Sequence, residues 1–279
     1  MSIDLHLHTT ASDGRIDPAD LVDLGAERGL SVMAITDHDT VDGIDSALNQ
    51  AAKHSGLKVI PGIELSTHAP GSELHLLGYF IDHRSPELLS VCRSMRSDRA
   101  ERAQAMVDKL NKLGIPVTWE RVCQLAGDSN IGRPHIARAL LEGGYISSFE
   151  EAFDLYLAQG KPAYAERFKI TPAEAVQLVT RCGGLPVMAH PLTVDNYISI
   201  ITELTAAGLV GIEVHYKDYN GEERRRLLEI ASKLNLIATG GSDYHGIDDT
   251  VEVLPGKAGV PRGVAAELYR KARQKGIAV

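Results

Sequence analysis

The sequence contains few cysteines and no long hydrophobic run. Its three cysteines, Cys92, Cys123 and Cys182, lie far apart and form neither a CxxC pair nor the even-numbered framework of a disulfide-rich protein. The first residues, MSIDLHLHTT, lack the basic and apolar regions of a secretory signal, and no apolar stretch reaches the length of a bilayer-spanning helix. We therefore expect a cytoplasmic protein in a reducing compartment, without a membrane partner.

Positive charge is also in short supply. Lys and Arg number 29 against 37 Asp and Glu, so the formal net charge is −8. This balance argues against a broad basic surface for a long nucleic acid but is compatible with a local basic pocket. With 279 residues, 44% of them hydrophobic, the chain can bury the core of one barrel-type domain or of a domain with an insertion. No obligate protein partner is indicated.

Short apolar runs rich in β-branched residues recur along the chain. They are IDLHLH (3–8), VMAITDH (32–38), KVIPGIEL (58–65), LHLLGYF (74–80), LPVMAH (185–190), VGIEVH (210–215) and LIATGGSDYH (236–245). Helical patterns separate most of them, with an N-cap at Asp17 before Pro18 and a capping box from Thr171 to Glu174. This alternation predicts an α/β fold whose strands run parallel.

The strand rhythm stops between residues 86 and 166. There the sequence becomes a charged amphipathic helix, PELLSVCRSMRSDRAERAQAMVDKLNKLG, followed by shorter helical pieces. We interpret residues 86–166 as a helical subdomain inserted into a barrel domain, which residues 1–85 and 167–279 would form.

Side chains that can bind metal ions lie at the ends of most of these strand-like runs. They are His6, His8, Asp37, His38, Glu64, His190, Glu213, His215, Asp243 and His245. The carboxyl ends of parallel barrel strands meet on one face, so residues far apart in sequence become neighbours there. Alternation along a strand also sends His6 and His8 to the same side, as it does Asp243 and His245.

Taken singly, each of these histidines is more typical of an ordinary hydrogen-bonded polar group. Seven of the 11 histidines nevertheless fall in or at the ends of the strand-like runs, where a purely structural role would favour Val, Ile or Leu: His6, His8, His38, His75, His190, His215 and His245. Imidazole and carboxylate donors without thiolate favour Mn, Fe or Zn, and there are more of them than one ion can use. The pattern predicts a multinuclear centre suited to phosphoryl displacement.

Six motifs occur in order over nearly the whole chain. They are DLHLHTTASDG (4–14), ITDHDT (35–40), PGIEL (61–65), ELHLLGYF (73–80), AHP (189–191) and GGSDYH (240–245). Together they resemble the motifs of the PHP (polymerase and histidinol phosphatase) superfamily of metal-dependent phosphoesterases. The resemblance implies a distorted (β/α)7 PHP barrel that holds two or three divalent ions, with manganese favoured over iron and zinc.

The resemblance also implies a ligand set. One ion would be bound by His6, His8, Glu64 and Asp243; a second would share Glu64 and add His75 and His190; a third would use Asp13, His38 and His245. Glu64 would then bridge two ions and hold the attacking hydroxide between them. Several trinuclear members have His in place of Asp13, so we expect a weaker third site.

Three further polar residues lie at or near the ends of the strand-like runs: Asp37, Glu213 and His215. We interpret Asp37 as a partner that orients a ligand imidazole. Glu213 and His215 have no assigned place in the family motifs. We expect Glu213 to support its strand and leave His215 as a candidate rim or substrate contact.

Two strings in the predicted insertion carry a separate signal. GRPHIARAL (132–140) and QGKPAYAER (159–167) resemble the PHP branch of 3′,5′-nucleoside bisphosphate phosphatases and 5′-to-3′ exoribonuclease-like enzymes. The resemblance implies that the insertion caps the barrel and that Arg133, His135 and Lys161 bind substrate phosphate. Either His135 or a metal-bound water would protonate the leaving group.

The leading hypothesis is hydrolysis of a phosphate monoester on a nucleotide, specifically the 3′-phosphate of adenosine 3′,5′-bisphosphate to give AMP. One alternative is a 5′-to-3′ exonuclease that acts on short RNA or DNA oligonucleotides. A second is histidinol phosphate phosphatase, and a third is a polymerase-associated module with a decayed site. The complete ligand set argues against decay.

Overall fold

A computed structural model describes residues 2–69, 72–127, 131–165, 170–248 and 250–279. The chain divides into two compact units. The barrel unit consists of Met1–Ser90 and Lys169–Val279, and the helical unit consists of Val91–Phe168. The predicted domain boundary between residues 166 and 167 lies outside the described residues.

The barrel unit is built on one seven-stranded sheet whose spatial order follows the sequence. Its strands are β1 (Ser2–Asp4), β2 (Leu30–Ile35), β3 (Lys58–Ala69), β4 (Ser72–Tyr79), β5 (Leu185–Met188), β6 (Gly211–Tyr216) and β7 (Ile237–Gly241). A parallel bridge between Leu7 and Tyr244 connects the two edges beyond β1 and β7. The result is a nearly closed seven-stranded barrel, as the sequence predicted.

The prediction that all strands run parallel was wrong for β4. This strand pairs antiparallel with both β3 and β5, whereas the β1–β2, β2–β3, β5–β6 and β6–β7 pairs are parallel. Ala69 pairs with Ser72, so β4 returns along β3 almost at once. Such a short separation allows only an antiparallel pair, because a parallel pair needs a long crossover connection.

Ten α-helices occur in the described part of the chain. They are α1 (Pro18–Glu27), α2 (Ile44–Ala51), α3 (Pro86–Lys112), α4 (Trp119–Ala126), α5 (Arg133–Glu142), α6 (Phe149–Ala152), α7 (Pro172–Arg181), α8 (Tyr197–Ala207), α9 (Gly221–Lys233) and α10 (Gly263–Gln274). Among the described residues, none of these helices combines the length and the hydrophobicity that a membrane span requires.

Local capping explains where two of the barrel-unit helices begin. The Asp17 side chain accepts a hydrogen bond from the Ala19 amide ahead of α1, whose first residue is proline. Ahead of α7, Thr171 and Glu174 form the reciprocal capping box, in which the Thr171 amide donates to Glu174 at 2.7 Å. Both predicted caps are confirmed, and both satisfy amides that the first helical turn leaves free.

Each unit has its own hydrophobic core. In the barrel unit, Ile60, Leu77 and Val187 are fully buried on adjacent strands. In the helical unit, Met106 and Leu140 are fully buried, and they pack in a cluster with residues of α3, α4 and α5. The core around the barrel strands gives rigid support to the loops that leave their carboxyl ends.

Candidate metal centre

Eight of the nine predicted ligands form three overlapping groups at the carboxyl end of the barrel, and His190 belongs to none of these groups. The first is His6, His8, Glu64 and Asp243; the second is His38, Glu64 and His75; the third is His8, Asp13, His38 and His245. Within each group the donor atoms lie within 4.8 Å of one another, which is close enough to share one ion. The first group equals the set that the family resemblance implies for one ion.

The carboxylate of Glu64 belongs to two of the three groups and is almost fully buried. Its Oε2 atom faces three imidazole nitrogens: His6 Nε2 at 3.1 Å, His8 Nε2 at 3.2 Å and His38 Nδ1 at 3.2 Å. Its Oε1 atom faces two others: His75 Nδ1 at 2.9 Å and His190 Nε2 at 3.2 Å. The two oxygens thus serve different sets of histidines, which is the arrangement that a bridging carboxylate requires.

His75 reaches this cluster because β4 is antiparallel. At β1, β2, β5 and β7 the predicted ligands follow the strand end, but His75 lies in the first half of β4 and pairs with Ser66. The amino-terminal half of an antiparallel strand lies beside the carboxyl ends of its parallel neighbours. The reversed direction therefore accounts for a ligand position inside the strand.

Asp243 and Asp13 complete the two ends of the centre. Asp243 Oδ1 lies 3.2 Å from His8 Nε2 and 3.4 Å from His6 Nε2. Asp13 Oδ1 lies 3.4 Å from His245 Nε2, and its Oδ2 lies 3.9 Å from His38 Nε2. The weaker third site expected at Asp13 stays a prediction.

Unusual backbone conformations place two of these side chains. Asp243 has φ of 51°, a left-handed conformation that non-glycine residues rarely adopt, and His190 has φ of 26°. The Asp243 amide donates to the His6 carbonyl at 2.9 Å, and the His8 amide donates to the Tyr244 carbonyl at 3.0 Å. These bonds join the segment after β7 to the segment after β1, and so fix Asp243 beside His6 and His8.

Asp37 has different partners from the imidazole that the sequence predicted. Its Oδ1 accepts from the Thr9 amide at 2.7 Å and from the Ser12 hydroxyl at 2.6 Å. Its Oδ2 accepts from the Thr9 hydroxyl at 2.7 Å. Asp37 therefore anchors the loop between β1 and α1, which carries Asp13.

The donor set fits divalent metal ions. Buried atoms His8 Nε2, His75 Nδ1 and Asp13 Oδ1 have no hydrogen-bond partner, although facing ligand atoms lie nearby. An ion bound at about 2.0 to 2.2 Å by nitrogen and oxygen separates neighbouring ligand atoms by about 3 to 3.5 Å. The distances from the Glu64 oxygens to the five facing imidazole nitrogens lie close to this range, as expected for ligands of shared ions.

The buried carboxylates of the cluster also favour bound cations. Burial raises the pKa of the Glu64 carboxyl, but the surrounding histidines, with His38 the strongest, outweigh burial and hold that pKa well below its usual range. Burial and the nearby histidines oppose each other in the same way at Asp243, whose pKa is also held well below normal. Burial lowers the pKa of His8, yet the adjacent carboxylates of Asp243 and Glu64 outweigh burial and raise it to about 10. The buried carboxylates thus need positive charge beside them, which divalent ions can supply.

The predicted substrate-binding residues belong to the helical unit. Arg133 and His135 lie in the first turn of α5, and the Arg133 guanidinium lies 5.7 Å from the ring centre of Phe153. The Nδ1 atom of His135 accepts a hydrogen bond from the Gly132 amide at 3.1 Å. Lys161 is exposed in a turn after the π-helical segment Phe153–Leu157. The Gly and Pro residues beside Arg133 and His135 favour a loop, whereas both residues begin a helix.

Two contacts of the centre were missed by sequence reasoning. The Tyr216 hydroxyl donates to Asp243 Oδ2 at 2.8 Å, and Lys217 Nζ lies 3.3 Å from the same oxygen. Both residues follow directly after the run VGIEVH. Their position at the end of this strand-like run is the feature from which a contact with the centre could have been predicted.

Comparison with known proteins agrees with this geometry. A nearly closed barrel with a cluster of His, Asp and Glu at its carboxyl end defines a metal-dependent hydrolase. The model of the PHP domain family matches residues 4–166. The chain therefore belongs to the PHP family, and it is a metal-dependent phosphoesterase.

Relatives that match most of the chain differ in the substrates that their names give. The chain is 35% identical over 246 residues to a 5′-3′ exoribonuclease of Haemophilus influenzae, covering 87% of this chain and 89% of the relative. It is 31% identical over 272 residues to a 3′,5′-nucleoside bisphosphate phosphatase of Chromobacterium violaceum, covering 96% and 92%. A solved structure described as a metal-dependent phosphoesterase from Bifidobacterium adolescentis superimposes with a TM-score of 0.86 at 30% identity, covering 96% of each chain.

Proposed function

We propose that this phosphoesterase removes the 3′-phosphate from 3′,5′-bisphosphonucleotides, converting adenosine 3′,5′-bisphosphate to AMP. The proposed phosphoesterase chemistry rests on one observation. Glu64 lies between two sets of histidines, each of which faces one of its carboxylate oxygens. The nucleotide substrate is supported by the basic residues of the GRPH and KPAY strings and by similarity to the bisphosphate phosphatase.

Hydrolysis forms a bond between a water oxygen and phosphorus and breaks the bond from phosphorus to the 3′ oxygen. Two or three divalent ions, for which we propose manganese, would supply positive charge for the phosphoryl oxygens and acidify the attacking water. The nine predicted ligands would hold these ions: His6, His8, Asp13, His38, Glu64, His75, His190, Asp243 and His245.

The helical unit would supply recognition of the second phosphate. Arg133 occupies the first position of α5, and no acidic residue lies in the first turn of this helix. Cations are unfavourable at the positive end of a helix dipole, but a bound phosphate would reverse that effect. We propose that Arg133 and Lys161 bind the 5′-phosphate, and that the helical unit thereby acts as a substrate cap.

His135 is the proposed proton donor to the 3′ oxygen. Because its Nδ1 accepts from the Gly132 amide, the neutral ring carries its proton on Nε2. An Nε2 proton is the one that can be transferred to a leaving alkoxide. This hydrogen bond therefore caps α5 and makes Nε2 the ring nitrogen that would donate to the 3′ oxygen.

A second candidate function is 5′-to-3′ removal of nucleotides from short RNA. It is favoured by the similarity to the exoribonuclease from Haemophilus influenzae. Water acidified at the same metal centre would attack a phosphodiester, and Arg133 and Lys161 would bind a phosphate of the RNA. A net charge of −8 favours short substrates over long ones.

A direct comparison of substrates tests these functions. Protein loaded with manganese is assayed on adenosine 3′,5′-bisphosphate, a short 5′-phosphorylated RNA and histidinol phosphate, with products separated by chromatography. We expect the highest kcat/KM for the bisphosphate, with inorganic phosphate and AMP as products. A higher kcat/KM for RNA, with mononucleotides released, would favour the exonuclease. The Glu64→Gln protein, purified in the same way, controls for contaminating phosphatases.

The compartment is proposed on separate grounds. Cys92, Cys123 and Cys182 take part in no disulfide in the described part of the chain. Cysteines without disulfides are typical of a reducing environment. We propose that the enzyme acts in the cytoplasm, where nucleotide substrates are also available.

A further inference from the structure

Strand β6 contributes none of the nine predicted ligands, yet it contacts three of them. Glu213, which is fully buried in this strand, has its Oε1 atom 3.1 Å from His6 Nδ1. Its Oε2 atom accepts a hydrogen bond from the His190 amide at 2.9 Å. One carboxylate therefore joins the residues after β1 to the residues after β5.

The contact with His6 determines which ring nitrogen can face the metal centre. A carboxylate accepts hydrogen bonds and does not donate them, so His6 must carry its proton on Nδ1. The Nε2 atom then faces Glu64 Oε2 at 3.1 Å and would be the nitrogen that binds an ion shared with that carboxylate. A carboxylate behind a ligand histidine fixes both the tautomer and the orientation of the ring.

Tyr216 acts on Asp243 in a similar way. The two oxygens of Asp243 have separate partners: Oδ1 faces the ligand histidines, whereas Oδ2 accepts from the Tyr216 hydroxyl at 2.8 Å. Lys217 Nζ lies 3.3 Å from the same Oδ2 atom. These contacts leave one oxygen of Asp243 directed at the centre and hold the other away from it.

An irregularity in β6 allows both residues to face the site. Glu213 pairs with Thr239, His215 with Gly240 and Tyr216 with Gly241, so the register shifts between Glu213 and His215. In a regular strand, residues three positions apart point to opposite faces. The extra residue of a bulge offsets this alternation, so Glu213 and Tyr216 point to the same face of β6.

The same bulge accounts for His215, which the strand pattern made a candidate contact. His215 pairs with Gly240, and a Cβ added at Gly240 would lie 2.5 Å from the His215 Cβ, so the two residues share a face. A Cβ at the next residue, Gly241, would instead lie 2.4 Å from the His6 Cβ, on the side of the metal centre. His215 is therefore on the face opposite to Glu213 and Tyr216.

We propose that Glu213 and Tyr216 are positioning residues that hold His6, His190 and Asp243 as metal ligands, and that the β6 bulge makes this double role possible. The inference rests on the metal site of the proposed function but not on the identity of the substrate. Losing such an outer contact typically weakens metal binding by about 10- to 100-fold.

The test measures metal affinity directly, independent of catalysis. Chelator-treated wild type, Glu213→Gln, Tyr216→Phe and the control His215→Ala are titrated with Mn²⁺, and free Mn²⁺ is followed by electron paramagnetic resonance. We expect dissociation constants raised about 10- to 100-fold in the first two variants and changed by less than about twofold in His215→Ala. The Glu213→Gln side chain can accept from only one of its two donors, the His6 ring and the His190 amide. The Tyr216→Phe substitution removes only a hydroxyl.

The possible outcomes separate this inference from the proposed function. If wild type takes up no Mn²⁺, the metal site itself is wrong. If wild type binds Mn²⁺ and both positioning variants bind equally well, the inference is overturned. Equal loss in His215→Ala would contradict the assigned faces of β6. Metal-free Tyr216→Phe should remain folded, with an unfolding temperature lowered only by the loss of one hydrogen bond, and this variant alone decides the question if Glu213→Gln does not fold.

Discussion

Glu64 and His75 face each other with 2.9 Å between Glu64 Oε1 and His75 Nδ1, yet this nitrogen makes no hydrogen bond. The two atoms are close enough for a hydrogen bond but lack the alignment that a hydrogen bond needs. Two lone-pair donors that converge on a common ion have this geometry. Glu64 has similar close contacts to four more histidines, so its charge is central to the metal site.

We predict that Glu64→Gln loses at least about a hundredfold in kcat/KM and binds fewer metal ions, because a neutral amide cannot bridge two cations. Mass-spectrometric metal analysis and phosphate release measure the two effects. The control is Glu267→Gln, an exposed carboxylate on α10 that pairs with Arg270. A folded Glu64→Gln protein with normal metal content and activity would show that the centre is misassigned.

Asp37 gives a prediction about stability. Replacement by alanine leaves the Thr9 amide, the Thr9 hydroxyl and the Ser12 hydroxyl without their buried acceptor. The loss in unfolding free energy should be at least about 1.5 to 3 kcal/mol, the net value of one hydrogen bond to a charged group. Urea denaturation measures it, with Asp17→Ala as the reference.

Asp17→Ala removes an exposed helix cap and should cost only about 1 kcal/mol. A smaller loss for Asp37→Ala than for Asp17→Ala would contradict the anchoring role. Because the anchored loop carries Asp13, we also expect Asp37→Ala to reduce metal uptake.

A pair of glycines tests how closely the segments after β1 and β7 approach. A Cβ at Gly241 would lie 2.5 Å from the His6 amide nitrogen, a backbone atom that cannot move aside cheaply. We predict that Gly241→Ala destabilises the protein by about 1 to 3 kcal/mol and weakens Mn²⁺ binding, because His6 must shift. Thermal and urea unfolding report the first effect and metal titration the second.

Gly221→Ala is the matched substitution. An added Cβ at Gly221, the first residue of α9, meets nothing within 4 Å, and the residue does not have a left-handed conformation. The change should therefore stabilise the protein by about 0.4 to 1 kcal/mol through the unfolded state. If both substitutions shift stability in the same direction, close packing at Gly241 is not the cause.

Strand positions and candidate ligands could be predicted because each run combined β-branched residues with a polar end. The direction of β4 was not predicted, although Ala69 and Ser72 are too close for a parallel crossover, because the alternation of α and β patterns elsewhere favoured parallel strands. The bulge in β6 could not be predicted either. The apolar alternation of GIEVHY continues through it, and a shift of one residue reverses the face without changing the pattern.

The partners of Asp37 illustrate a different limit. Its place beside His38 in ITDHDT predicts a role near the metal, but its hydrogen bonds go to Thr9 and Ser12, almost 30 positions away in sequence. Hydrogen-bond partners across strands depend on side-chain direction, which the sequence of one strand does not determine.

The basic residues of the helical unit provide the prediction that separates a nucleotide enzyme from a general phosphatase. If Arg133 binds the 5′-phosphate, Arg133→Ala should lower kcat/KM for adenosine 3′,5′-bisphosphate by about 10- to 100-fold, the equivalent of one charge-assisted contact. It should have little effect on p-nitrophenyl phosphate, which carries only the reacting phosphate. Arg121→Ala is the control, since Arg121 is an exposed arginine of α4 paired with Glu142.

The pattern of losses across the two substrates decides what Arg133 does. A loss confined to the bisphosphate supports recognition of the second phosphate, because only that substrate offers a second anion. Equal losses on both substrates would mean that Arg133 contacts the reacting phosphate and acts in catalysis. If neither substrate is affected, or if Arg121→Ala causes the same loss, the first turn of α5 is not a phosphate-binding element. The preference for bisphosphonucleotides would then rest on the Chromobacterium violaceum relative alone.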